Sequence, residues 1–274
     1  MAVSPGSANV ICGQIVALKT GGGKRVDNLV IKQPLAIKCA LGENPKNAYG
    51  QSKKTSPMTR MGTAAIFREH FFKAKEYLSK KENSENGKQP DFNMKYEALI
   101  PVLKREIPIH IHAHRADDIH TALRLIAEFE IRGVLLHCSE GHFIVSDLSE
   151  SNIPAIVGPT LSFAKKPETA NKSFETVDIL LKSGIKACIT TDHPITQLEH
   201  LNICAALCVK AGLDEREALK AITIYPAEIL GLDHRIGSIK PGKDADFAIW
   251  RKNPFDATGN VLHTIIDGKI VWCA

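Results

Sequence analysis

The chain has 274 residues, of which 44% are apolar, 24% charged and 6% aromatic, and it carries a net charge of +5. That balance excludes a disordered chain and suits one large α/β domain with a small appendage. No basic run carries interleaved aromatics and no apolar run reaches the length of a membrane span, so neither nucleic acid nor membrane is expected as a partner. The seven cysteines form no CxxC pair, and MAVSPGSANV lacks the basic and apolar segments of a secretion signal. Both features predict a reducing, cytoplasmic setting.

In chain order, MAVSP (1–5) and DNLVI (27–31) are strand candidates, and LAIKCALGE (35–43) reads as a buried strand. MGTAAIFREHFFKAKEYLSKK (61–81) predicts a long helix, KKENSENGKQPDF (80–92) a polar loop and MKYEALIPVLKR (94–105) a second helix. The crossover from Glu43 to Ile107 is long enough to carry a lid or binding segment. From residue 107 the pattern is regular. Strands IPIHIHA, RGVLLHC, IPAIVG and IKACITTD alternate with amphipathic helices at 116–129, 145–152 and 174–184, the signature of a parallel sheet. Helices follow at 197–212, 213–223 and 226–232, with Asp214 and Glu217 placed as a capping box. The C-terminal segment changes character: a Pro-Gly turn feeds the strand DADFAIW, and Asp267-Gly268 sits at the centre of a hairpin.

Three of the 11 histidines, His110, His112 and His114, occupy alternate positions of one strand and so share a face. Polar residues also end the other strands: His137 closes GVLLH, Asp192 closes ACITTD, and Glu43 stands just past LAIKCALG. In a parallel α/β barrel these strand ends converge on the active site. A strand that is otherwise hydrocarbon has no packing reason to end in His or Asp. The four together point to metal binding or catalysis.

The segments ALGENPKNAYG (40–50), TRMGTAA (59–65), HIHAHRADDI (110–119), LLHCSEG (135–141), IVGPTL (156–161), ITTDHP (189–194) and IGSIKPGKDADFAIW (236–250) resemble the amidohydrolase superfamily of metal-dependent hydrolases. The similarity is greatest to its imidazolonepropionase-like and dipeptidase-like branch. This resemblance implies a TIM-like (β/α)8 barrel over residues 1–235, incomplete at its first strand, and part of a small β-sandwich over 236–274. It also implies His112 as the fifth-strand ligand, His137 as the sixth-strand ligand and Asp192 as the eighth-strand aspartate. His114 falls at the rim near substrate, and His110 one layer deeper. The fourth-strand ligand is a carboxylated lysine or a glutamate in the family, and here Lys38 and Glu43 compete. Glu43 is favoured by its place at the strand end, whereas Lys38 reads equally as a strand-start residue with a solvated head.

The family's first-strand His-x-His pair has no counterpart upstream, because the first histidine is His70, in a predicted helix. The chain therefore reads as starting at the second strand, MAVSPGSANV, with one metal site kept and the second lost. Glu43, His112 and His137 form an N/O set that suits zinc with a position open to water. Asp192 is placed to move a proton between that water and a leaving nitrogen. The implied activity is hydrolysis of an amide or cyclic amide C–N bond in a small molecule, with weakened metal affinity and turnover. The rival expectation is a non-catalytic barrel remnant that acts as a binding module. Arg60, Arg115, Lys46 and Lys53 fall in mouth loops where they can grip a substrate carboxylate. His142 is placed to line the pocket, and His193 adjoins Asp192. An incomplete barrel exposes unpaired strand edges, which predicts homo-oligomerisation or low stability.

Overall fold

The structure is a computed structural model and describes residues 1–83, 89–164 and 166–274. A seven-stranded sheet runs in sequence order through β1 (Ala2–Val3), β2 (Ile11–Leu18), β3 (Val30–Ala40), β4 (Ile109–Ala113), β5 (Gly133–His137), β6 (Ala155–Val157) and β7 (Ala187–Ile189). The β3/β4 and β6/β7 pairs are parallel. With helices between the later strands, this is an incomplete TIM-like barrel accompanied by a small antiparallel sheet. Two compact units are distinguished: Ala2–Val16 with Lys32–Leu135, and Met1 with Ala17–Ile31 and Leu136–Ala274.

In the first of these units, the crossover after β3 carries helices α1 (Glu43–Lys46), α2 (Arg60–Glu82) and α3 (Met94–Leu103). The two longer of these are the helices expected within the crossover. Thr59 caps α2 by accepting from the Gly62 amide, and Asn93 caps α3 through the amides of Lys95 and Tyr96. Part of the polar loop expected at 80–92, residues 84–88, lies outside the described residues. On α2, Phe67 and Phe71 are fully buried and stacked 4.4 Å apart, and both rings meet Phe129 at the end of α4 (Ala116–Phe129). Helix α4 buries Ile119, Ala122, Leu125, Ile126 and Phe129, a stripe at helical spacing. Every residue of β4 is buried, histidines included.

The strand expected at MAVSP is only two residues long, and the longer strand is β2, ICGQIVAL. Gly13 and Gln14 interrupt its alternation, which is why the period was not legible. DNLVI divides: Val26–Leu29 forms a helical turn, and only Val30 and Ile31 enter β3.

The other unit contains β6, β7 and helices α5 (Val145–Ser151), α6 (Thr176–Lys182), α7 (Leu201–Lys210), α8 (Glu215–Ala221) and α9 (Ile224–Ile229). Asp214 caps α8 through the amides of Arg216 and Glu217. The reciprocal half of the capping box is not made, because the Glu217 carboxylate turns to Lys220 and Tyr225. The C-terminal strands β8 (Phe247–Trp250), β9 (Val261–Ile266) and β10 (Lys269–Cys273) form an antiparallel sheet, with the expected turn at Asp267-Gly268. Lys19, just past β2, is tied to this sheet through Asp244, Asp246 and Asp267 at 2.6–2.8 Å.

Candidate metal centre

In the unit that contains β3 and β4, strand register sets two layers of side chains. Lys38 stands opposite His110, and Ala40 opposite His112. Paired residues of parallel strands face the same side, so the small Ala40 leaves space beside His112. Lys38 is 5% exposed, which corrects the expectation of a solvated head. Burial, and secondarily the Lys38 charge, holds the fully buried His110 far below the usual imidazole range, at about 3. His110 is therefore neutral, and its Nε2 has no hydrogen-bond partner among the described residues.

One layer towards the strand end, His112 and His114 are both buried, with their rings edge-on at 4.8 Å. A ligand atom from each lies within 4.8 Å of the other, close enough for one ion to engage both. Asn44 Nδ2, in the first turn of α1, donates to His112 Nε2 at 3.2 Å and to Ser7 Oγ at 2.7 Å. Any ligand that uses His112 Nε2 must replace that Asn44 bond. Asn44 gave no signal in sequence, since a single amide in a loop has no period and no obligatory chemistry.

Glu43 is buried at the start of α1, where Gly42 takes a positive φ of 76° to turn the chain off β3. Its Oε1 lies 3.7 Å from Arg60, whose Nε donates to Asp118 at 3.0 Å. Arg60 thus links two buried carboxylates. Arg115, at the start of α4, clasps Asp117 with two hydrogen bonds of 2.9 and 3.0 Å. Lys53 lies over the Tyr49 ring at 4.7 Å.

In the other unit, His137 ends β5 with a positive φ of 75°, followed by Cys138 at 46°. Its Nδ1 donates to the Gly158 carbonyl at 2.6 Å, which makes Nε2 the unprotonated nitrogen of the ring. A metal-ligating histidine is held in this way by its outer hydrogen bond. Gly158 has φ +130°, and a Cβ there would stand 2.1 Å from the Thr190 carbonyl oxygen. Asp192 is half-buried at φ 51°, just past β7, and His193 is exposed. A non-glycine residue at positive φ is strained, and such strain concentrates at functional sites. His142 Nδ1 lies 2.9 Å from Thr176 Oγ1, and burial lowers the His142 pKa.

The donors fit a divalent metal. Buried imidazoles, one of them oriented by a backbone carbonyl, and a buried carboxylate are donor types that a divalent metal takes. Residues 81–271 match the Amidohydrolase family. The chain belongs to the amidohydrolase family. Members of this family are metal-dependent. A crystal structure of an amidohydrolase from Thermotoga maritima MSB8 superposes with a TM-score of 0.96 and 42% identity, covering 100% of this chain and 71% of that one. Amidohydrolase tasK of Hapsidospora irregularis is 27% identical over 97% of this chain and 30% of its own length. An imidazolonepropionase of Cupriavidus necator is 35% identical over 27% of this chain and 19% of its own length, in line with the branch that the motifs resemble. The chain thus spans less than a third of either curated relative. No helix among the described residues is long and apolar enough to cross a membrane.

Proposed function

We propose that this chain binds one divalent metal, zinc by its donor chemistry, and hydrolyses the C–N bond of an amide or cyclic amide in a small molecule. The observation that carries the reading is His137, buried at a strand end with Nδ1 committed to the Gly158 carbonyl. In this reading the nitrogen donors come from buried strand-end histidines, His112, His114 and His137. Glu43 supplies the oxygen, and the buried Lys38 is the alternative fourth-strand group. Bound zinc lowers the pKa of water towards neutrality and polarises a carbonyl oxygen.

The chain's own residues do the rest. A carboxylate oxygen of Asp192 takes a proton from the attacking water and returns it to the departing nitrogen, which would otherwise leave as a poor anion. Gly158 holds the His137 ring in place, and the ion pair with Arg60 aims the Glu43 carboxylate. Seven free thiols support a reducing, cytoplasmic setting.

The test is to strip the purified chain with chelator, reload it with zinc or manganese, and measure metal content and hydrolysis of a dipeptide and cyclic-amide panel. The reading expects about one metal per chain and turnover that is lost in Asp192→Asn. Metal bound without any turnover supports the binding-module alternative, and no bound metal overturns the reading.

A further inference from the structure

Three successive loops of the unit that contains His137 leave the C-terminal ends of β5, β6 and β7. The first carries Phe143, the second Phe163 and the third Ile195, which are 60%, 87% and 59% exposed. Exposed large apolar side chains, one per loop at the open end of a parallel sheet, are unusual for solvated surface. The loop after β6 is also fixed in place. Gly158 O accepts from His137, Thr196 Oγ1 donates to Leu161 O at 2.6 Å, and Ser162 Oγ donates to Pro159 O.

Lys172 closes this loop from the side that precedes α6. Its Nζ donates to the Ser162 carbonyl and to Ser162 Oγ. Both acceptors are neutral, and among the described residues no carboxylate pairs with Lys172. A half-buried ammonium is usually compensated by an acid. Here burial alone acts on it and lowers its pKa. One of its three N–H groups remains for a further acceptor. Ser162 is four positions beyond Gly158, so the two lie within about 14 Å of each other, the span of a small ligand.

We infer that Lys172 binds a carboxylate on the substrate, while Phe143, Phe163 and Ile195 receive an apolar part of the same molecule. This assigns the substrate to a chemical class: an amide with one hydrocarbon side chain and one free carboxylate. The inference builds on the hydrolase reading for its chemistry, but its test is binding and needs no turnover.

Calorimetric titration of N-acetyl-L-leucine and of the neutral N-acetyl-L-leucinamide compares the two ligands on the wild type and on Lys172→Met, Lys172→Gln and Lys172→Arg. The wild type is expected to bind the acid at least about tenfold more tightly than the amide, the scale of a charge-assisted hydrogen bond. Met and Gln abolish that preference, and Arg keeps most of it. Two neutral variants guard against one failing to fold, with thermal melting as the check. Equal binding of acid and amide by the wild type, no binding of either, or a preference that survives in folded Lys172→Gln overturns the inference. Absence of turnover in the zinc-loaded protein would count against the hydrolase reading and leave this binding preference to stand or fall by calorimetry.

Discussion

His137 donates its Nδ1 proton to the carbonyl oxygen of Gly158 at 2.6 Å, and Gly158 can occupy that position only because it has no side chain. The bond fixes the tautomer and the ring angle of a histidine that is itself held at positive φ. The histidine and the residue behind it are therefore one device. Gly158→Ala forces a Cβ to within 2.1 Å of the Thr190 oxygen in a backbone conformation that alanine disfavours. We expect a loss of about 2 kcal/mol or more in stability. Zinc affinity should fall by about tenfold or more. Urea unfolding and a competitive zinc titration measure the two effects.

Arg60 joins the buried Asp118 and Glu43 on one guanidinium. Arg60→Met keeps the length of the side chain and removes the charge. Breaking a buried ion pair by deleting one partner costs about 3 kcal/mol, and less here because Arg60 is partly exposed. The sign for metal binding follows from Glu43: without Arg60 its carboxylate is less well oriented, and zinc binding weakens. A variant with wild-type zinc affinity and melting temperature would show that the pair is ornamental.

His110 gives a pH dependence whose direction can be worked out. Its pKa is about 3 in the folded protein, against an ordinary value of 6.5. Between those limits the unfolded chain takes up a proton that the folded chain refuses, so acid favours unfolding. The stability that His110 contributes is whole above pH 6.5 and is lost progressively as pH falls towards 3. The slope reaches at most about 1.4 kcal/mol per pH unit. In His110→Phe that part of the acid sensitivity disappears, and denaturant unfolding at pH 7.5, 6 and 5 should show a shallower decline than in the wild type.

The Lys19 side chain is only 9% exposed and bridges three carboxylates, all of which belong to the C-terminal segment. Its ammonium is held protonated far into the alkaline range by those bonds, despite the cost of its burial. Lys19→Met leaves Asp244, Asp246 and Asp267 to repel one another and should cost about 3 kcal/mol. Raising the salt concentration should recover part of the loss, because Asp267 is exposed. Melting curves at low and high salt test both statements.

Much of the barrel half was legible because hydrophobic period and β-branched content agree from residue 107 to residue 192. The helices there end where Glu130, Asn152 and Gly184 take left-handed conformations. Strand β2 was hidden because Gly13 and Gln14 break its alternation, and a two-residue β1 has no pattern to read. The burial of Lys38 could not be seen either. An amine inside an apolar strand has two interpretations, and only the register that sets it opposite His110 chooses between them. For the site, the histidines announced themselves by spacing. Asn44, Gly158 and Lys172 did not, since each acts through hydrogen bonds to residues that are not its neighbours in sequence. The positive φ angles at His137 and Asp192 leave no trace in composition at all.

Anomalous diffraction at the zinc edge, on crystals of the chain loaded with one equivalent of zinc, tests the account most directly. The account predicts a single strong peak about 2.0–2.2 Å from ring nitrogens of both His112 and His137. A peak held by other residues, or no peak beyond surface sites at full zinc loading, would contradict it.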